Sequence, residues 1–121
     1  MYTEIYVNVD LKSDTPEDVI DVLRVMCGDK EYPDDWGYPH RWSYLFNNGS
    51  YYTPNTSVAK LTFDNISGKF SLIGKGDIKN YNREIEKFFE FITPWVDGCG
   101  RTFIGYHRYE ENTDPELVFI N

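Results

Sequence analysis

Apolar residues recur at every second position in parts of this chain and at every third or fourth in others. The order of these two spacings restricts the fold more than any single motif. From Thr3 to Leu11 the spacing is two, with Ile5, Val7, Val9 and Leu11 on one side and Tyr6, Asn8 and Asp10 on the other, the pattern of a half-buried strand. Thr15, Pro16, Glu17 and Asp18 then offer a hydroxyl cap, a proline for the first helical position and acids for the first turn, all suited to the exposed N–H groups of a helix start. Val19, Ile20, Val22, Leu23, Met26 and Cys27 continue at three-and-four spacing. Gly28 stands where a left-handed terminal residue is wanted, so a helix is predicted over 16–27.

Residues 29–40 show neither period and hold two prolines, a glycine and four acids, which predicts a long loop. Alternation resumes over 41–46 with Trp42, Tyr44 and Phe46, and the turn-forming run Asn47-Asn48-Gly49-Ser50 would return the chain through Tyr51, Tyr52 and Thr53. Runs 58–64 and 69–75 form the strongest hairpin signal, with Ala59, Leu61, Phe63, Phe70 and Leu72 on one face and Gly74 to Gly76 closing the second strand. Ile85, Phe88, Phe89 and Ile92 stripe a helix over 81–93, with Glu84, Glu86, Lys87 and Glu90 opposite and Pro94 ending or kinking it. The chain closes on a hairpin of 102–109 and 117–120.

The resulting order is β-α-β-β-β-α-β-β. It predicts an α+β fold, an antiparallel or mixed sheet of about five to six strands with both amphipathic helices on one face, compatible with a ferredoxin-like or split β-α-β plan. At 121 residues the chain has room for one domain, 1–121, and no second core.

The formal net charge of −8 opposes a phosphate backbone and favours a basic partner, so direct nucleic-acid binding is not expected. Tyr106 and Arg108 share a strand face, but no RNP-like motif accompanies them. Cys27 and Cys99 lie in no zinc-type pairing, and Asp29, Glu31, Asp34 and Asp35 lack calcium-loop spacing, so no metal site and no cofactor is expected. His40 and His107 are the only histidines and no nucleophile motif surrounds either cysteine, which excludes the familiar hydrolase patterns and leaves no catalytic residue to name. Gly74-Lys75-Gly76 lacks the phosphate-loop pattern. No leader or apolar span is visible, so a cytoplasmic protein with no membrane partner is expected.

What remains is a concentration of rings and donors in a chain that is 17% aromatic. The candidate partner- or ligand-binding residues are Tyr32, Asp34, Asp35, Trp36, Tyr38, His40, Arg41, Tyr51, Tyr52, Tyr106 and Arg108, the residue types enriched in interface centres and ligand pockets. The acids fall into four groups, on the first helix, in the 29–35 loop, on the second helix and in the last loop. Two groups on one side of the fold would speed association with a basic surface.

The expected function is therefore that of a non-catalytic acidic interaction protein, a small microbial or phage inhibitor or immunity-type protein that binds a basic protein surface. Size and charge alone carry that likeness. The alternative is a nucleotide-like ligand-binding or sequestering module with Arg41, Arg101 or Arg108 as anion clamps. Leu117 to Ile120 is apolar on both faces, hence either a central strand or an edge able to form a homodimer by strand addition.

Overall fold

The alternating run near the N-terminus becomes the middle of the sheet, because its Ile5, Val7, Val9 and Leu11 side is the most uniformly apolar in the chain. The computed structural model describes residues 2–46, 58–80 and 82–120. Within them the order is β1 (Thr3–Asp10), α1 (Glu17–Met26), β2 (Val58–Asp64), β3 (Lys69–Ile78), α2 (Glu84–Ile92), β4 (Phe103–Tyr109) and β5 (Glu116–Phe119). Short 3-10 turns occupy His40–Tyr44 and Thr93–Trp95.

The strands lie in the order β2-β3-β1-β4-β5, all antiparallel. Thus α1 links β1 to β2 across β3, and α2 links β3 to β4 across β1. These are two interleaved split β-α-β units, as in the ferredoxin-like plan, with β5 appended outside β4. One face of the sheet packs with Val19, Ile20, Leu23 and Met26 of α1 and Ile85, Phe88 and Ile92 of α2 into a single core. The opposite face carries Glu4, Tyr6, Asn8 and Asp10 of β1 and lies open, with Ile73 beside Asn8 and Tyr106 beside Tyr6. Among the described residues no helix is long and apolar enough to cross a membrane.

Helix ends depart from expectation in two places. Pro16 itself takes the cap position of α1, with ψ of 147°, while the Thr15 hydroxyl turns back to the Lys12 carbonyl at 2.6 Å. At the other end Gly28 has φ of 79°, its N–H reaches the Val25 carbonyl, and Asp29 N–H reaches that of Arg24, a Schellman closure. α2 begins at Glu84 rather than earlier because Arg83 is left-handed, and Asn80 Oδ1 accepts the Ile85 N–H.

Two strand expectations need correction. Residues 41–46 are not a strand: Trp42 N–H donates to Pro39 O and Leu45 N–H to Trp42 O, forming the 3-10 turn. Trp42 and Leu45, three apart, are both buried, so the i, i+3 pair outweighed the alternation of Trp42, Tyr44 and Phe46. The return through Tyr51, Tyr52 and Thr53 lies outside the described residues. Gly74 and Gly76 do not end β3, which runs on to Ile78; their bare backbone lets the Leu45-Phe46 segment lie directly on the sheet.

A Cβ at Gly76 would stand 2.0 Å from the Leu45 carbonyl oxygen, whereas one at Gly37 meets nothing within 4 Å. Gly76→Ala should therefore destabilise the protein by about 3 kcal/mol, since backbone must move, and Gly37→Ala should leave stability nearly unchanged. Urea unfolding of both variants checks this; equal midpoints would show that the segment does not rest on β3.

Candidate functional site

The 29–40 loop contains Pro33, Gly37 and Pro39 and has no period of its own, so its conformation comes from what its rings touch. The rings form a graded series. Trp42 is buried against Phe88 and stacks on Phe91 at 5.3 Å between centroids. Tyr38 stacks on both Trp42 and Phe91, at 5.6 and 5.4 Å, while remaining 40% exposed. Trp36 meets Tyr38 edge-on at 5.2 Å, and Tyr32 meets Trp36 at 5.5 Å with 44% of its surface free. His40 closes the series, with Nδ1 2.9 Å from the Tyr32 hydroxyl and its ring edge-on to Tyr32. The Trp36 indole N–H donates to the Pro39 carbonyl, which fixes its orientation.

Beneath this series lies Glu84, only 2% exposed although it belongs to the helix face read as polar. The Arg41 guanidinium approaches its Oε1 at 3.4 Å, Asn82 N–H donates to its Oε2 at 3.0 Å, and the Trp42 indole N–H donates to its backbone carbonyl at 2.9 Å. Arg41 is thereby tied to the protein's own carboxylate.

Between the loop and α1 the chain leaves a groove of about 280 Å³. Val22 and Val25 of α1 form an apolar floor, Trp36 and Tyr38 one wall, and Asp18, Asp21 and Asp35 the acidic rim. Lys30 lies at the rim and pairs with Asp21 at 3.2 Å. Hydrogen bonds from Arg24 and Lys30 hold the Asp21 carboxyl below its ordinary range. The α1 acids and the loop acids thus fall on one side of the fold. The four α1 residues lining the groove were not expected at the site; their signal was the i, i+3, i+4, i+7 spacing of Asp18, Asp21, Val22 and Val25.

The candidates do not form one site. Tyr32, Asp34, Asp35, Trp36, Tyr38, His40 and Arg41 come together along the loop and turn, with Asp34 exposed beside the groove. Tyr106 and Arg108 stand on the open sheet face: Tyr106 stacks on Tyr6 at 5.4 Å, and Arg108 donates to the Asn112 carbonyl and faces Glu4 at 3.8 Å. Burial and the nearby Glu4 push the Tyr106 phenol up. Tyr51 and Tyr52 lie outside the described residues. Burial, helped by Asp29, pushes the Cys27 thiol up to about 12, leaving it inert as a nucleophile at neutral pH. Comparison with protein-family models, with curated proteins and with solved structures finds no match for this chain.

Because removing one member of a buried pair strands the other, Glu84→Ala should cost about 3 kcal/mol and red-shift the tryptophan emission as Trp42 loosens. Joint replacement Arg41→Met with Glu84→Leu should recover part of that loss. Equilibrium unfolding followed by fluorescence measures both; a Glu84→Ala protein as stable as the parent would show that the carboxylate does not anchor the turn.

Proposed function

We propose that the protein is a non-catalytic interaction protein of the inhibitor or immunity type, and that its ring-lined groove receives a basic protein surface. The observation that carries this reading is the setting of Trp36 and Tyr38 over Val22 and Val25 inside the Asp18, Asp21 and Asp35 rim. Tyrosine and tryptophan anchors lose little conformational freedom on binding, and here each is already held by its neighbouring rings. A lysine or arginine side chain can lay its stem on the valines, its cation on the ring faces and its hydrogen bonds on the carboxylates. The nucleotide alternative is less favoured, because two of its three clamp candidates, Arg41 and Arg108, face carboxylates of the protein itself.

Assembly enters through β5, which takes the edge of the sheet. The Ile120 N–H and C=O both point to the preceding hairpin strand, so by alternation those of Leu117 and Phe119 point outward. An antiparallel two-fold at Val118 sets Leu117 opposite Phe119 of a second copy. It continues across the interface the open-face stripe formed by Leu117, 54% exposed, and Phe119, 39% exposed.

Two outcomes test these proposals. Affinity capture with wild type and with Trp36→Ala, run side by side, should recover a basic protein with the former and lose it with the latter. The purified pair should weaken by about 2 kcal/mol through faster dissociation, while Asp18→Asn with Asp35→Asn mainly slows association. A partner bound equally by the Trp36→Ala protein, or with no dependence on salt, would sink the groove reading. Separately, sedimentation at high salt, where repulsion is screened within about 10 Å, should show a two-chain species that Leu117→Lys abolishes. A one-chain mass for the wild type at micromolar concentration rules the β5 dimer out.

A further inference from the structure

Three adjacent strands turn polar at the same level on the face that elsewhere builds the core. On β1 the series Val9, Val7, Ile5 ends in Thr3; on β4 Gly105 is followed by His107 and Tyr109; on β5 Val118 is preceded by Glu116. The register aligns these changes, with Thr3 opposite Tyr109, Ile5 opposite His107 and His107 opposite Glu116. From α2, Phe89 reaches the His107 ring at 6.2 Å between centroids, and Glu86, one turn earlier, faces the space beyond. The result is a cleft of about 660 Å³ lined by Thr3, Asn80, Glu86, His107, Tyr109 and Glu116 among others, within the size range of sites for small organic ligands.

Two carboxylates give this cleft its charge. Asn80 Nδ2 donates to Glu86 Oε1 at 2.6 Å, and Arg83 Nε stands 3.5 Å from Oε2. Burial opposes the charge of Glu86, but these donors together with His107 outweigh it and hold the carboxyl below its ordinary range. Glu116 Oε2 lies 3.3 Å from His107 Nε2. Thr3 is only 7% exposed, yet its hydroxyl makes no hydrogen bond to any described residue and opens onto the cleft. Solvent reaches that hydroxyl through the cleft, so it is free to accept a hydrogen bond from a bound donor. Among the described residues no set of three His, Cys, Asp or Glu side chains is arranged to hold a metal ion, so the fitting cation is organic.

We propose that this cleft binds a small aliphatic amine, its ammonium group held between Glu86 and Glu116 with the Thr3 hydroxyl as a further acceptor. The site is separate from the ring-lined groove and does not depend on the basic-partner reading.

The test is a titration of isotope-labelled protein with putrescine at physiological ionic strength, read at the His107 ring resonances. A saturable, one-to-one shift is expected, with no shift from the matching neutral diol. Glu116→Gln, at a position whose side chain is 77% exposed and so tolerant of exchange, should weaken binding about fivefold. The near-isosteric Thr3→Val should weaken it about threefold. Should Thr3→Val fail to fold, Glu116→Gln decides alone. A shift without a plateau, an equal response to the diol, or parental affinity in the Glu116→Gln protein would overturn the proposal.

Discussion

A carboxylate buried as deeply as that of Glu84 must be met by a cation or by donors, and meeting it ties the 3-10 turn and the loop before it to the start of α2. The Arg41 guanidinium and the Asn82 backbone N–H meet the carboxylate, and the Trp42 indole fastens the same residue through its backbone carbonyl. These bonds pin the 3-10 turn to the start of α2. With the turn fixed, Leu45 and Phe46 are delivered onto Gly76 and Gly74, and Tyr38 is delivered onto Phe91. The aromatic loop, which has no regular hydrogen bonding of its own, therefore inherits its position from one ion pair and two glycines.

The rings then pass rigidity outward. Trp42 is core, Tyr38 is half core and half surface, and Trp36 and Tyr32 form the exposed end of the same series. Aromatic pairs in tilted and stacked geometry add to burial, so an exposed ring at the end of such a series stays oriented without a strand or helix beneath it. That property makes the groove beside α1 suited to a partner's side chain rather than to loose hydrophobic adhesion.

Charge is organised in the same economical way. Some members of each acidic group come together as two pairs. The α1 acids and the loop acids border the ring-lined groove, while Glu86 of α2 and Glu116 of the last hairpin face each other across the His107 cleft. The open face of the sheet takes neither pair. It mixes Glu4, Asp77 and Asp10 with Lys75 and Arg108, and its apolar content gathers at β4 and β5, where the free edge lies. The fold thus presents three chemically different surfaces.

The sequence by itself determined the element order wherever a single period ran without competition. The alternation of Thr3 to Leu11, the stripe of Ile85 to Ile92 and the 58–64 and 69–75 hairpin needed no partner to be legible, because one buried face imposes one spacing. It also marked the loop aromatics as a unit, since rings crowded into an aperiodic stretch must be stacked or displayed. Only the tertiary structure decided where two local readings were equally good. Residues 41–46 satisfy both an alternation and an i, i+3 pair, and Gly76 beneath the Leu45 carbonyl and Glu84 beneath Trp42 select the second. Tertiary structure also separated Tyr106 and Arg108 from the loop aromatics, because strand order and not sequence distance sets which face a residue joins. It placed Glu116 beside His107 and Asp18 beside Trp36 for the same reason: contacts between distant segments depend on sheet register and helix docking, which no local spacing encodes.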